Sequence, residues 1–96
     1  MVLSISWTTV AIKTYISNIE YLEKEWSATE TRKFIETTQR KIQALSIHPN
    51  LGKRSAKRIG LRHIVINKRI LLFYRCKPLK KEIQLAYFFN TSQDPK

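Results

Sequence analysis

The sequence changes texture at Leu61, and no other feature restricts the fold as much. Three segments follow it: "LRHIVI" (61–66), "RILLFYRCK" (69–77) and "EIQLAYFF" (82–89). All are rich in β-branched, aromatic and aliphatic residues, the composition of strands. Asn67–Lys68 alone separates the first two, and Pro78-Leu79-Lys80 forms the next turn. Connections this short join antiparallel neighbours, so a three-stranded meander is expected, with a two-residue connection at Asn67–Lys68. The apolar run of the middle segment exceeds simple alternation, which predicts cover on both of its faces.

Upstream, the period is helical. Ile12, Tyr15, Ile16, Ile19 and Leu22 recur at spacings of three and four, an apolar stripe that Thr8 or Thr9 can cap. Ser27 and Glu30 have capping-box spacing and open a second helix, with Phe34, Ile35, Thr38, Ile42 and Leu45 as its buried stripe. His48-Pro49-Asn50 ends it, because proline disfavours helix in the residue before it. Two helices joined at Glu25–Ser27 form an antiparallel hairpin. "VLSIS" alternates with period two and reads as a strand over 2–6, with Leu3, Ile5 and Trp7 on one face. Trp7 and Trp26 are expected to anchor the core and the helical hairpin. The predicted order is β-α-α-β-β-β. This is an α+β fold, an antiparallel sheet with the two-helix hairpin packed on one face and the other face partly open. With 96 residues and no repeat or linker, the chain forms one domain over 1–96.

Charge is placed as unevenly as texture. Residues 1–52 hold six Lys/Arg against five Asp/Glu, net +1; residues 53–96 hold twelve against two, net +10. No acidic residue occurs from Lys53 to Lys81. Such asymmetry marks a face that attracts anions: nucleic acid, a phosphate-rich machine, or an acidic protein. Lys53, Arg54, Lys57 and Arg58 form a basic loop. Arg62, Arg69 and Arg75 extend the charge onto the strands as further contact candidates. Arg62 and His63, adjacent on a strand, point to opposite faces. Cys76 is the only cysteine, so no intramolecular disulfide or thiol-based metal site can form, and a reducing compartment is expected. No metal or cofactor pattern is present, and no run reaches the roughly 20 apolar residues of a membrane span. "MVLSISW" lacks the basic and apolar regions of a signal peptide, so the expected location is the cytoplasm.

The chain resembles the RelE/ParE family of type II toxin–antitoxin toxins. The resemblance rests on Trp7 at the strand–helix junction, "LSIHPNLGK" (45–53), "GLRHIVI" (60–66), "RILLFYR" (69–75) and "AYFFNTSQDP" (86–95), in that order. It implies a small basic bacterial or archaeal protein, neutralised by an acidic antitoxin whose tail folds across the helices and sheet in a hetero-oligomer. It also implies one of two targets. RelE-like members cut mRNA in the ribosomal A site; ParE-like members inhibit DNA gyrase, with no known hydrolytic chemistry.

Cleavage of RNA through its 2′-hydroxyl needs a base, cationic donors at the phosphate and an acid for the leaving oxygen. RelE-like enzymes take these from basic residues on the second and third sheet strands, plus an Arg and a Tyr after the last strand. Here Arg62 matches one basic position, and the next falls near Ile64. The Arg expected before "LLFY" falls near Leu71, with Arg69 as its substitute. Residues Asn90 to Asp94 contain neither Arg nor Tyr. A nuclease reading would rest on Arg62, Arg69 and Tyr87. The ParE-like reading, inhibition of a target such as DNA gyrase without hydrolysis, fits the residues better. The alternatives are a ribosome-dependent mRNA endoribonuclease and a non-toxic basic nucleic-acid-binding module.

Overall fold

The computed structural model describes residues 2–93. Asp94 and Pro95 of "AYFFNTSQDP" lie outside the described residues. The elements are β1 (Ser4–Trp7), α1 (Thr9–Glu25), α2 (Ala28–Ile47), β2 (Lys53–Arg54), β3 (Arg62–Val65), β4 (Ile70–Lys77) and β5 (Glu82–Asn90). They build one sheet in the order β1-β5-β4-β3-β2 with the helical hairpin on one face.

The α+β class and the meander β3-β4-β5 follow the sequence pattern. Three details differ. β1 pairs parallel with β5, Ser4 opposite Glu82, so the sheet is mixed rather than wholly antiparallel. Two helices separate β1 from the meander, so no hairpin dictates its direction. A two-residue strand, β2, adds to the edge of β3. The β3–β4 connection spans residues 66–69, not two residues. Asn67 explains the extra length: its Oδ1 accepts from the backbone N–H of Arg69 and Ile70, both at 2.9 Å. That side-chain turn replaces the left-handed backbone an Asn-Gly pair would have supplied.

Thr8 caps α1: its Oγ1 accepts from Ala11 N at 2.9 Å while its hydroxyl donates to Ala86 O at 2.9 Å. Two turns on, Thr14 Oγ1 accepts from Phe88 N at 2.9 Å. These ties to β5 set the helix's rotation. The buried line becomes Ala11, Asn18 and Leu22, with Tyr15 and Ile19 beside it, and Ile12 and Ile16 of the expected stripe stay 46% and 49% exposed. On α2, Ser27 Oγ accepts from Glu30 N at 3.1 Å. Phe34, Thr38 and Leu45 are buried, and Ile35 and Ile42 pack against the core. Trp7 is a partial anchor: its ring stacks on Phe88 at 5.8 Å and meets Tyr15 edge-on at 5.2 Å. Trp26 is half exposed and anchors no core.

β4 is covered on both sides as expected. Ile70, Leu72 and Tyr74 are buried toward the helices, while Leu71 and Phe73 are half buried on the opposite face. Between Phe73 and Tyr74 the register shifts, because Phe73 pairs Tyr87 but Tyr74 pairs Leu85, which leaves Ala86 as the extra residue of a bulge. Tyr74 is fully buried, and its hydroxyl donates to Pro49 O and accepts from Gly52 N, both at 2.9 Å. Gly52 tolerates no side chain there. A Cβ would lie 2.6 Å from His63 O and 2.8 Å from the Tyr74 ring.

Tyr74→Phe leaves the buried Gly52 N–H without its acceptor, a cost of about 1–3 kcal/mol. Urea unfolding measures it, and a change under about 0.5 kcal/mol, the level of a neutral surface substitution, refutes the role assigned to the hydroxyl. Gly52→Ala should destabilise by at least as much, through overpacking.

Burial pushes the Tyr74 phenol above the ordinary tyrosine value of 10.0, against a smaller lowering by its bond to Gly52, and burial raises Tyr15 as well. Both folded values lie above the unfolded ones. Their contribution is therefore full below the unfolded value and lost as pH rises through the folded values. Phenolate absorbance should show a late phase coupled to unfolding, and Tyr15→Phe with Tyr74→Phe should remove that phase.

Candidate functional site

The site begins with the alternation of strand side chains. Paired residues share a face, so Lys53, His63, Phe73 and Tyr87 stand in line on the open face of the sheet, and Arg54, Arg62 and Tyr74 on the other. The open-face rings form a file across three strands. His63 and Phe73 have centroids 5.4 Å apart, and Phe73 stacks on Tyr87 at 4.7 Å with planes 16° apart.

The loop between β2 and β3 folds back over this file. Ser55 N donates to Leu61 O at 2.9 Å, and Ser55 Oγ accepts from Arg58 N at 3.1 Å. Gly60, at φ 87°, makes the reversal that lets the loop close on itself. Arg58 reaches across to place its guanidinium 5.8 Å from the centre of the Tyr87 ring, a cation–π contact. Between loop and sheet lies a cavity of about 320 Å³ lined by Lys57, Arg58, His63, Phe73, Tyr87 and Phe89 among others. Within it His63 Nδ1 is buried and has no hydrogen-bond partner among the described residues.

The candidate residues therefore occupy three places. Lys53, Lys57, Arg58 and Tyr87 gather at the open face, with exposed Arg75 farther along β4 opposite Gln84. Arg54 and Arg62 border a separate cleft of about 680 Å³ on the other side. Arg69 lies at the β3–β4 turn, its guanidinium 5.7 Å from the Trp26 ring centre, beside a third cavity of about 410 Å³. The nuclease trio Arg62, Arg69 and Tyr87 is thus not brought together. The basic loop is a unit in sequence but not in space, because Arg54 points away from the other three.

Nothing in the sequence alone marks Phe73, Phe89 and His63 as members of one surface. The signal for the ring file was the period-two recurrence of His63, Phe73 with Leu71, and Tyr87 with Phe89, visible once strand register is known. The arrangement offers an apolar, ring-lined surface with a cationic rim. Among the described residues the one ion pair is Lys33–Glu30 at 3.8 Å on α2, so the rim's charges face no carboxylate. No three His, Cys, Asp or Glu side chains among the described residues cluster as a metal site would require. No described helix is long and apolar enough to cross a membrane.

Comparison with known proteins bears on the family and the fold. No curated protein sequence matches the chain significantly. Solved structures share its fold at low identity. The chromosomal ParDE toxin–antitoxin system from P. aeruginosa matches with a TM-score of 0.75 and 16% identity, over 93% of this chain and 96% of that one. The toxin–antitoxin complex RelBE2 from Mycobacterium tuberculosis gives 0.62 and 15%, over 94% and 99%. A metal-bound toxin from Helicobacter pylori gives 0.70 and 14%, over 95% and 97%. The profile of the ParE toxin of the type II toxin–antitoxin system parDE matches residues 5–95. With that match covering nearly its whole length, the chain belongs to the ParE toxin family of type II toxin–antitoxin systems.

Proposed function

We propose that this toxin acts by binding DNA gyrase rather than by cutting RNA, and that an acidic antitoxin neutralises it. The observation that carries this reading is the dispersal of the nuclease candidates. Arg62, Arg69 and Tyr87 line three different cavities. Strand register puts Arg62 on the face opposite Tyr87, and its Nη1 donates to Gly52 O at 2.8 Å. Loss of one well-placed donor costs roughly 10²–10³ in rate, so separated groups would forfeit most of the catalysis.

An acidic partner suits the net +10 of residues 53–96 and the uncompensated rim. Ile12 and Ile16 on α1, and Val65 and Phe89 on the open face, give such a partner exposed apolar anchors. Apolar anchors hold a complex, while rim charges set its association rate and salt dependence.

A ribosome-dependent nuclease is the second reading. It draws on Lys57, Arg58, His63 and Tyr87 lining one cavity. Phe73 stands between the His63 and Tyr87 rings, however, which sets base and phenol on different strands with a ring separating them.

The two readings separate in paired assays. Purified toxin should inhibit gyrase supercoiling and leave mRNA on translating ribosomes intact. Codon-positioned cuts that vanish in His63→Gln or Tyr87→Phe would overturn the gyrase reading.

The antitoxin reading is tested by coexpression with the neighbouring open reading frame. An acidic product should co-elute with the toxin, and absence of co-elution at low salt counts against it. Lys53→Glu with Lys57→Glu should leave stability within about 0.5 kcal/mol, since both side chains are exposed. It should slow association and flatten its salt dependence; association as fast as the parent's at low salt would make the rim mere solvated surface.

A further inference from the structure

Arg54 and Arg62 stand directly opposite one another across the β2–β3 pair. Like charges so placed repel. Among the described residues neither guanidinium pairs with a carboxylate, and the cleft they border has no acidic side chain in its wall. Nor can Arg62 swing away freely. Its Nη1 bonds Gly52 O, and Gly52 N is itself bound by the Tyr74 hydroxyl. Two cross-strand arginines thus line one cleft of about 680 Å³. Ser55 lines the same cleft, and its Oγ accepts from Arg58 N, which leaves the hydroxyl proton for another acceptor. Pro78 and Ile59, the latter 96% exposed, add apolar wall.

We propose that this cleft binds a phosphate monoester, with Arg54 and Arg62 on its oxygens and its organic part against Ile59 and Pro78. The charge decides between anions. A carboxylate or a phosphodiester carries a single negative charge and would cancel only one guanidinium. A monoester carries about −1.5 to −2 at neutral pH and has three terminal oxygens, enough for two planar forks and one hydroxyl. The site lies on the side of the sheet away from the ring file, so it stands independently of the target and the antitoxin proposed above.

The test titrates the full chain with phenyl phosphate, dimethyl phosphate and acetate at matched ionic strength, following thermal unfolding and backbone amide shifts of residues 52–62. Phenyl phosphate should raise the unfolding temperature saturably and move those amides; the other two anions should not. Arg54→Gln should lower affinity at least about tenfold, the loss of one charge-assisted hydrogen bond. Without ligand, the same variant should unfold no earlier than the parent, because a repulsion has been removed. Arg62→Lys keeps the charge but loses the fork and should also weaken binding. Arg32→Gln, which removes the same charge from α2, should leave binding unchanged. Three results would overturn the site: acetate or dimethyl phosphate binding as tightly, Arg32→Gln weakening binding as much as Arg54→Gln, or no saturable response to phenyl phosphate.

Discussion

Everything distinctive about this toxin's basic half hangs on the Tyr74 hydroxyl. α2 ends at Ile47, and the chain must turn back to the sheet edge within five residues to begin β2 at Lys53. The hydroxyl spans that turn by binding Pro49 O and Gly52 N. Gly52 in turn presents its carbonyl to Arg62. One buried phenol thereby ties the α2–β2 turn to the sheet, and Gly52 passes that tie on to the Arg62 guanidinium. A buried polar group is worth having only when satisfied, and this one is satisfied twice.

What could be read from the sequence was periodicity, and what could not was rotation. The strand segments after Leu61 and the two caps at Thr8 and Ser27 announce themselves because they depend on neighbours within four residues. The facing of α1 depends instead on Thr8 reaching Ala86 and Thr14 reaching Phe88, contacts more than seventy residues apart. The stripe through Ile12 and Ile16 is apolar enough to be buried, yet those hydrogen bonds turn it to the outside. The same limit applies to the site. Alternation says that Arg62 and His63 face opposite ways, but the register with Tyr74 and Phe73 decides which way is inward. Once that is known, the nuclease candidates come apart and the ring file appears.

The ring file and the loop above it are coupled. Phe73, at the middle of the file, lines one cavity with the loop residues, and Arg58 of the loop reaches over Tyr87. The loop is otherwise held by its own turn hydrogen bonds, among them Leu61 N to Arg58 O at 3.0 Å, and every residue of it except Ser55 and Leu61 is exposed. Elements with few buried apolar contacts open at low free energy. A partner that lifts the loop gains apolar ring surface and gives up one partly exposed cation–π contact, worth roughly 0.5–1 kcal/mol. Uncovering the ring file thus breaks one cation–π contact and the loop's own turn, and leaves the strand pairing beneath it in place.

Charge links stability to association. Twelve cations against two acids in residues 53–96 repel one another in the folded chain, and the one described ion pair is on α2, outside that region. Repulsion of this kind weakens the free toxin and is relieved when an anionic partner binds, so binding stabilises the fold beyond what its new contacts supply. Salt then acts with opposite signs on the two processes. It screens repulsion within the toxin, which favours the free fold, and it screens attraction to an acidic partner, which slows encounter. A small domain that keeps such a surplus is better suited to a complex than to solitude.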